Sequence, residues 1–423
     1  MYKDIPFIEL RKDCIDIISK ISWIFGANLV VAFTKWLIII IIARILTPTD
    51  VGAYALAFAI GAPITLFANM KLRSLFITED SKSFSDYLYS RCILNFAAFI
   101  LLMLIATIIY PQHFYIIFLV GLMKILDLQS DMYYALPHKE GNMNIIGKLM
   151  IVKHVFTLFI FLVCVLITNN LIHSLFSQLI AQLLFLYSVE KKYISTKYTL
   201  NNESFDTSKI LSVIVVGIPL GLVQMMTSFN ASFPRFLLEF YESTEVLGYF
   251  SVIIYVLLIG NMMMNAISQT FLPYLYNKIK KFEYYHFHKL IFVKLSLFSM
   301  FLGIILFLLS HFFGEGFLFI VYGENYAQYS DVLTLMSIAL AINIVSWNFD
   351  TALLAMRYIS IQPKIIFIVL IISLIIGYIL INKYGIYGAT YTIIIANLLH
   401  LILRVFFVKI RLNMLISGST VTR

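Results

Sequence analysis

The chain has 423 residues, of which 61% are hydrophobic and 13% charged, with a mean hydropathy of +0.92. A water-soluble core cannot hide that much apolar surface, so soluble enzymes and nucleic-acid-binding modules are excluded and the chain belongs in lipid. The formal charge of +9 is read as membrane topology and not as a nucleic-acid footprint, because the basic residues alternate between loops.

A helical crossing takes about 20 residues, and about twelve apolar runs are long enough. In the first half they fall at roughly 21–43, 51–69, 92–110, 114–136, 149–168 and 171–189; in the second at 210–233, 246–270, 291–313, 330–355, 365–382 and 386–408. Met1 to Lys20 mixes charges of both signs without a small-residue cleavage site, so the first span is expected to act as the insertion signal. Ala43 to Arg73 reads as a membrane hairpin with a Thr-Pro-Thr-Asp turn, in which Pro48 ends the first helix and Thr49 or Asp50 caps the second. The polar stretch Glu190–Lys209 reads as a cytoplasmic linker between an N-terminal lobe, 1–209, and a C-terminal lobe, 210–423. Gly314–Tyr326 reads as a short interfacial helix on the outer side.

Lys3, Arg11, Lys12, Lys20, the loops at 71–91, 137–148, 190–209, 273–294 and 356–364, and the tail after Arg404 carry most of the positive charge. Both termini are therefore expected on the cytoplasmic side of the membrane. Thr49-Asp50-Val51-Gly52-Ala53-Tyr54 is echoed by Thr244-Glu245-Val246-Leu247-Gly248-Tyr249 at the same place in the second half. The expected fold is an all-α polytopic membrane protein of two six-helix lobes, related by a pseudo-two-fold axis along the membrane normal.

Charged residues within spans are the informative positions, each costing about 2.5–3.5 kcal/mol at a helix centre. Lys35, Lys124 and Lys153 all fall in the first half, and together they suit an anionic head group such as a pyrophosphate. Snorkelling or a structural ion pair is the plainer reading, above all for Lys153 near a span end. Lys124, Asp127 and Asp131 share one helical face and can neutralise one another. Alternatively Asp127, Asp131 or Asp350 couples transport to a proton or sodium ion; Asp350 has no basic neighbour in sequence before Arg357. Arg44 and Arg235, at the outer ends of their helices, either snorkel or receive a phosphate. Tyr54, Tyr249, Trp36 and Trp347 are options for sugar stacking, and Pro63, Pro219 and Pro234 for bends.

Catalytic and metal signatures are missing: there is no HExxH, no P-loop and no GxGxxG after a strand, and the eight histidines show no ligand spacing. Cys14, Cys92 and Cys164 are far apart, without CxxC spacing, and the triplets Asn202-Glu203-Ser204 and Asn230-Ala231-Ser232 are weak glycosylation signals. No cofactor is expected.

Several segments together resemble one family. Ala43–Ile60 with the exit Asn69-x-x-Leu72-Arg73, Lys124-x-x-Asp127-x-x-Ser130-Asp131 leading to His138-Lys139-Glu140, and Arg235 through Leu275 are similar to parts of the Wzx-type O-antigen and capsule flippases. So are Tyr322-Gly323-Glu324-Asn325-Tyr326 and Gly385-Ile386-Tyr387-Gly388-Ala389. These proteins are polysaccharide transporters of the multidrug/oligosaccharidyl-lipid/polysaccharide exporter superfamily. The resemblance implies a non-enzymatic flippase that carries an undecaprenyl-pyrophosphate-linked oligosaccharide from the cytoplasmic to the periplasmic leaflet of a bacterial inner membrane by alternating access. It implies contact with membrane lipids and association with polysaccharide-assembly proteins. Two other classes share features with the chain. A cation-coupled drug antiporter of the same superfamily would want an acid-lined cavity, and a membrane polymerase or ligase would want a large periplasmic loop.

Overall fold

Backbone polar groups have no water to bond inside lipid, so apolar runs of this length fold as helices. A computed structural model of the chain describes the backbone over 7–79, 82–198 and 206–421, and side chains over 23–79, 82–198, 206–256 and 271–417. The side chains of Lys3, Arg11, Lys12, Cys14 and Lys20 and the triplet Asn202-Glu203-Ser204 lie outside the described residues. In chain order the helices are α1 (Phe7–Ile45), α2 (Pro48–Asn69), α3 (Leu72–Thr78), α4 (Phe84–Ile108), α5 (Phe114–Tyr133), α6 (Ala135–Lys139), α7 (Met143–Thr168), α8 (Leu171–Phe185) and α9 (Lys192–Lys197). There follow α10 (Thr207–Tyr241), α11 (Thr244–Lys280), α12 (Tyr284–Lys289), α13 (Ser296–Tyr322), α14 (Glu324–Ala327), α15 (Ser330–Ala355) and α16 (Gln362–Val421). No strand occurs among the described residues.

Ten helical stretches among them are long and apolar enough to cross a membrane. One of these, Ile359–Ser417, breaks at Gly385 (φ 50°, ψ −124°) into two helices, and α11, with 37 residues, is long enough to cross as well. Only glycine takes that backbone conformation without strain, and a Cβ at Gly385 would strike the Glu242 carboxylate. The expected twelve crossings are thus accounted for.

Helix starts follow the sequence through their caps. Ser83 Oγ accepts from the Asp86 N–H (3.3 Å) while Asp86 Oδ2 takes the Ser83 N–H (3.0 Å), a capping box that opens α4. Asn170 caps α8 and Ser243 caps α11. In the first hairpin the cap falls earlier than expected, at Thr47 instead of Thr49 or Asp50. Thr47 Oγ1 accepts from the Asp50 N–H (3.2 Å) and Asp50 Oδ2 from the Thr47 N–H (3.1 Å). Thr47 is therefore the N-cap and Asp50 its reciprocal partner, because Pro48 is the residue that can open the helix without a backbone N–H.

Two further expectations are corrected. The segment Gly314–Tyr326 is not a separate interfacial helix: α13 runs unbroken to Tyr322, since Phe317–Val321 extends its apolar run and Gly314 sits against Leu333. It stops at Gly323, whose φ of 110° a side chain would resist, leaving α14 as the short outer piece. Nor does the linker begin at Glu190. The sixth span continues through a π-helical turn, Leu186–Lys191, into α9, with Glu190 and Ile194 buried.

The chain divides by packing into two compact units, 1–38 with 60–225 and 39–59 with 226–423. In the first, α4 lies on α5, α5 on α8 and α7 on α8. Phe76 meets Phe84 and Tyr87 edge-on at 5.5 Å in its core. In the second, α15 is central and packs against α11, α13 and α16. The tip of the first hairpin, residues 39–59, belongs to this second unit. There the starts of α2 and α11 approach so closely that a Cβ on Gly52 would strike the Thr244 carbonyl, and one on Gly248 the Pro48 carbonyl. The two echoed segments therefore meet each other.

Candidate functional site

A lysine in mid-span is tolerable only beside carboxylates or water, and the first unit supplies carboxylates. Lys153, on α7, is 3% exposed. Its Nζ donates to Asp127 Oδ1 of α5 (2.9 Å) and to Ser130 Oγ (2.8 Å), and lies 3.9 Å from Glu190 Oε1. The Gln182 amide of α8 donates to the same Asp127 oxygen at 2.8 Å and to the Met123 carbonyl at 2.9 Å. Ser130 Oγ in turn donates to Glu190 Oε2 (2.6 Å), and Tyr134 Oη donates to Glu190 Oε1. Three spans are joined through one ammonium group. Lys153 is thus an internal ion-pair residue: α7 begins at Met143, six residues before the expected start, so the lysine lies well inside the helix instead of near its end.

Lys35 of α1 is half-buried and close enough to Asp127 and His154 to act on both electrostatically. Lys124, also half-buried, lies one turn before Asp127 on α5, and its stem covers Gly61 of α2, where a Cβ would come within 2.9 Å of Cδ. Asp131 pairs with Arg73 at 3.0 Å. Asp127 and Asp131 therefore each hold an ion pair with a base on another helix. Arg91, fully buried, donates to the carbonyls of Ala68 (2.8 Å) and Asn69 (3.0 Å) and so closes the C-terminal end of α2.

The second unit holds the remaining candidates. Asp350 does have a basic partner, far along the chain: Arg404 Nη2 lies 3.1 Å from Oδ1, and Nη1 donates to Ser346 Oγ at 2.8 Å. Gln362 Nε2 donates to the same Asp350 oxygen at 3.3 Å. Arg44 donates to the carbonyls of Val321 and Phe319, each at 3.0 Å, and of Ile320, at the end of α13. Its fork caps a helix terminus. Arg235 is 8% exposed, with its guanidinium 5.6 Å from the centre of the Tyr255 ring, so it does not snorkel to the surface. Outside the spans, burial raises the hydroxyl pKa of Tyr326 and Tyr329, with Tyr249 and Glu245 respectively as the next cause. Tyr249 stacks on Tyr329 at 4.6 Å and donates to Glu245 Oε1 at 2.7 Å.

The site residues overlooked in the sequence are Glu190, Gln182, Tyr134 and Arg404. For the first two a signal existed: Ser174, Gln178, Gln182 and Glu190 are spaced by fours and eights and form a polar stripe along the sixth span.

The family described as "Polysaccharide biosynthesis protein" matches residues 17–279. The chain is 30% identical over 393 residues to the capsular polysaccharide biosynthesis protein CapF of Staphylococcus aureus, an alignment covering 93% of this chain and 99% of that one. Among solved structures it is similar to the lipid II flippase MurJ in its inward closed conformation, with 14% identity, a TM-score of 0.74 and coverage of 94% of this chain and 90% of the other. An inward-facing multidrug resistance MATE family transporter of the MOP superfamily gives 10% identity and a TM-score of 0.65, covering 94% and 96%. At such identities the likeness shows the fold: an all-helical, two-lobed membrane transporter architecture. With the match spanning residues 17–279, well over half of the chain, and a relative aligned along nearly its whole length, the chain belongs to the polysaccharide biosynthesis protein family.

Proposed function

We propose that the protein is a flippase that carries an undecaprenyl-pyrophosphate-linked oligosaccharide, an O-antigen or capsule repeat unit, from the cytoplasmic to the outer leaflet of the bacterial plasma membrane by alternating access. The observation that carries this reading is the basic balance inside the first unit. Lys35, Lys124 and Lys153 stand against Asp127 and Glu190, with Asp131 neutralised by Arg73. An excess of positive charge within spans attracts a pyrophosphate and repels a cationic drug. The fold is shared with multidrug transporters, so it is the sign of the charge that separates the two readings. The names of the capsular relative and of the lipid II flippase support the same cargo class.

Lys153 is sealed among its partners, whereas Lys35 and Lys124 are half-buried; these two are assigned to the head group and Lys153 to holding the site. Flipping needs no covalent step. Both termini are placed in the cytoplasm by the distribution of basic residues, and 1–209 and 210–423 are taken as the two repeats. The test is translocation of a labelled lipid-linked oligosaccharide by purified protein in vesicles. Wild type should move it, and Lys35→Ala or Lys124→Ala should lose transport while inserting normally. A folded wild-type protein that moves no member of a panel of lipid-linked glycans would refute the reading.

A further inference from the structure

The segments 275–294, 357–364 and 409–411 of the second unit carry nine lysines and arginines against one acid, Glu283. They share one apolar core, in which Leu275, Phe287, Met356, Ile361 and Leu412 are buried together, so the charges crowd one end of a helix bundle. Lys278 with Glu283 is the one ion pair they form among the described residues. Topology accounts for basic residues at the ends of spans, but it asks nothing of how they are held. Two of them are held in a particular way. Arg357 stands 5.3 Å from the centre of the Tyr276 ring, with Nη2 donating to its hydroxyl at 3.3 Å, and Arg411 stands 5.3 Å from the centre of the Tyr358 ring. Arg411 Nε is buried and finds no acceptor. A carboxylate holds a guanidinium by cancelling its charge, whereas a ring holds it through a quadrupole and leaves the charge uncompensated.

Arg357 also stands where glycine is the usual residue. It closes α15 with a φ of 52°, its own N–H bonding back to the Leu354 carbonyl and that of Tyr358 to the Leu353 carbonyl. Glycine would take that left-handed backbone without strain, yet arginine is there. Phe282, Tyr285 and Ile359, from the same segments, are exposed. Apolar and aromatic groups placed among basic ones suit the head-group level of a bilayer.

We propose that Arg357 and Arg411 form a binding site for the phosphodiester of an anionic phospholipid in the leaflet that this end of the second unit faces. Each fork is positioned by its ring and keeps its N–H groups for phosphate oxygens, which it can meet in pairs. The surplus of positive charge around them favours a head group with net negative charge over a zwitterionic one. An acidic protein segment would answer the same charge, but the exposed apolar side chains and the position at the ends of membrane-crossing helices favour a lipid. The site is separate from the lysines assigned to the transported head group and does not rest on the flippase reading.

Titrating the full chain in detergent micelles with a short-chain fluorescent phosphatidylglycerol measures the site, with the phosphatidylcholine analogue and inorganic phosphate as controls. The wild type should bind phosphatidylglycerol about tenfold or more tightly than phosphatidylcholine, and inorganic phosphate should not displace it. Arg357→Gly should weaken binding by about tenfold, the usual effect of losing a charge-assisted hydrogen bond. Glycine suits the backbone at that position, so the variant should melt no lower than the wild type and its loss cannot be laid to unfolding. Arg411→Gln should weaken binding to a similar extent. Replacing the exposed Lys280 and Lys281 together by glutamine removes two charges and should cost less than either arginine. If the lysine pair costs as much, the attraction is diffuse and the site is overturned. Equal binding of phosphatidylcholine, displacement by inorganic phosphate, and binding indifferent to both arginine variants each overturn it too. So does an acidic protein that is captured through Arg357 and Arg411 while the lipid is not.

Discussion

Replacing Lys153 by alanine should destabilise the first unit by about 3–5 kcal/mol, the range for removing one partner of a buried ion pair. The figure arises from what is left behind. Lys153 has a 4% exposed side chain, and its loss strands two carboxylates in very different surroundings: Asp127, 36% exposed, and Glu190, 0% exposed. Asp127 keeps the Gln182 amide and is the less enclosed of the two, so its share is the smaller. Glu190 has no water to turn to, and most of the loss falls on it. Combining Lys153→Ala with Glu190→Gln should therefore recover about 1–3 kcal/mol, and combining it with Asp127→Asn less than about 1. Thermal and denaturant unfolding of the single and double variants in detergent micelles measures all three. If Lys153→Ala is as stable as the wild type, or if Asp127→Asn is the better rescuer, the shared-base arrangement is wrong.

Arg44→Ala should free the carbonyls of Phe319, Ile320 and Val321, raising amide exchange at the end of α13 and costing about 1–2 kcal/mol, with Arg44→Lys recovering only part because it lacks the fork. Unchanged exchange there would show that the cap does not act. Gly52→Val and Gly248→Val should each cost about 1–3 kcal/mol or more in unfolding, because the added side chains meet the Thr244 and Pro48 carbonyls; near-wild-type stability would mean the helix starts are not in contact. Thr47→Val should cost about 1 kcal/mol by breaking the capping box, whereas Thr49→Val should cost much less.

The class and span number were legible in composition and hydropathy because lipid leaves the backbone no alternative to the helix. Boundaries were less so. Glu190 looks like the first residue of a polar linker, since a charge at the end of an apolar run normally marks the interface; only its partners on two other helices let the sixth span carry it inward. Gly314-Glu315-Gly316 likewise reads as a break, yet two glycines cost a helix only about 1 kcal/mol each and the apolar run beyond them outweighs that. Among the candidate residues, the mid-span position of the lysines was visible but their partners were not. Lys124 is the base nearest to Asp127 in sequence, and nothing in the sequence shows that Lys153, on another helix, reaches the same carboxylate at 2.9 Å. The echo of Thr49–Tyr54 in Thr244–Tyr249 gave the repeat but not its packing: the close approach at Gly52 and Gly248 depends on how two distant helices cross.

The stronger mark of a repeat lies in the acids. Asp127 stands six residues before the end of the fourth span's helix and Asp350 five before the end of the tenth's. Each accepts from a base on another helix and from a glutamine amide, but the suppliers are exchanged. The fifth span gives Lys153 and the sixth Gln182, whereas the last helix gives Arg404 and the one before it Gln362. Duplication fixes where an acid sits; it does not fix which neighbour neutralises it, since a base facing the carboxylate from either side removes the same burial penalty. The two centres differ in their balance as well. Among the described residues Arg404 is paired with one carboxylate, while Lys153 is shared by two. Removing Arg404 would therefore strand one carboxylate, whereas removing Lys153 would strand two, so the first centre has more to lose from the same substitution.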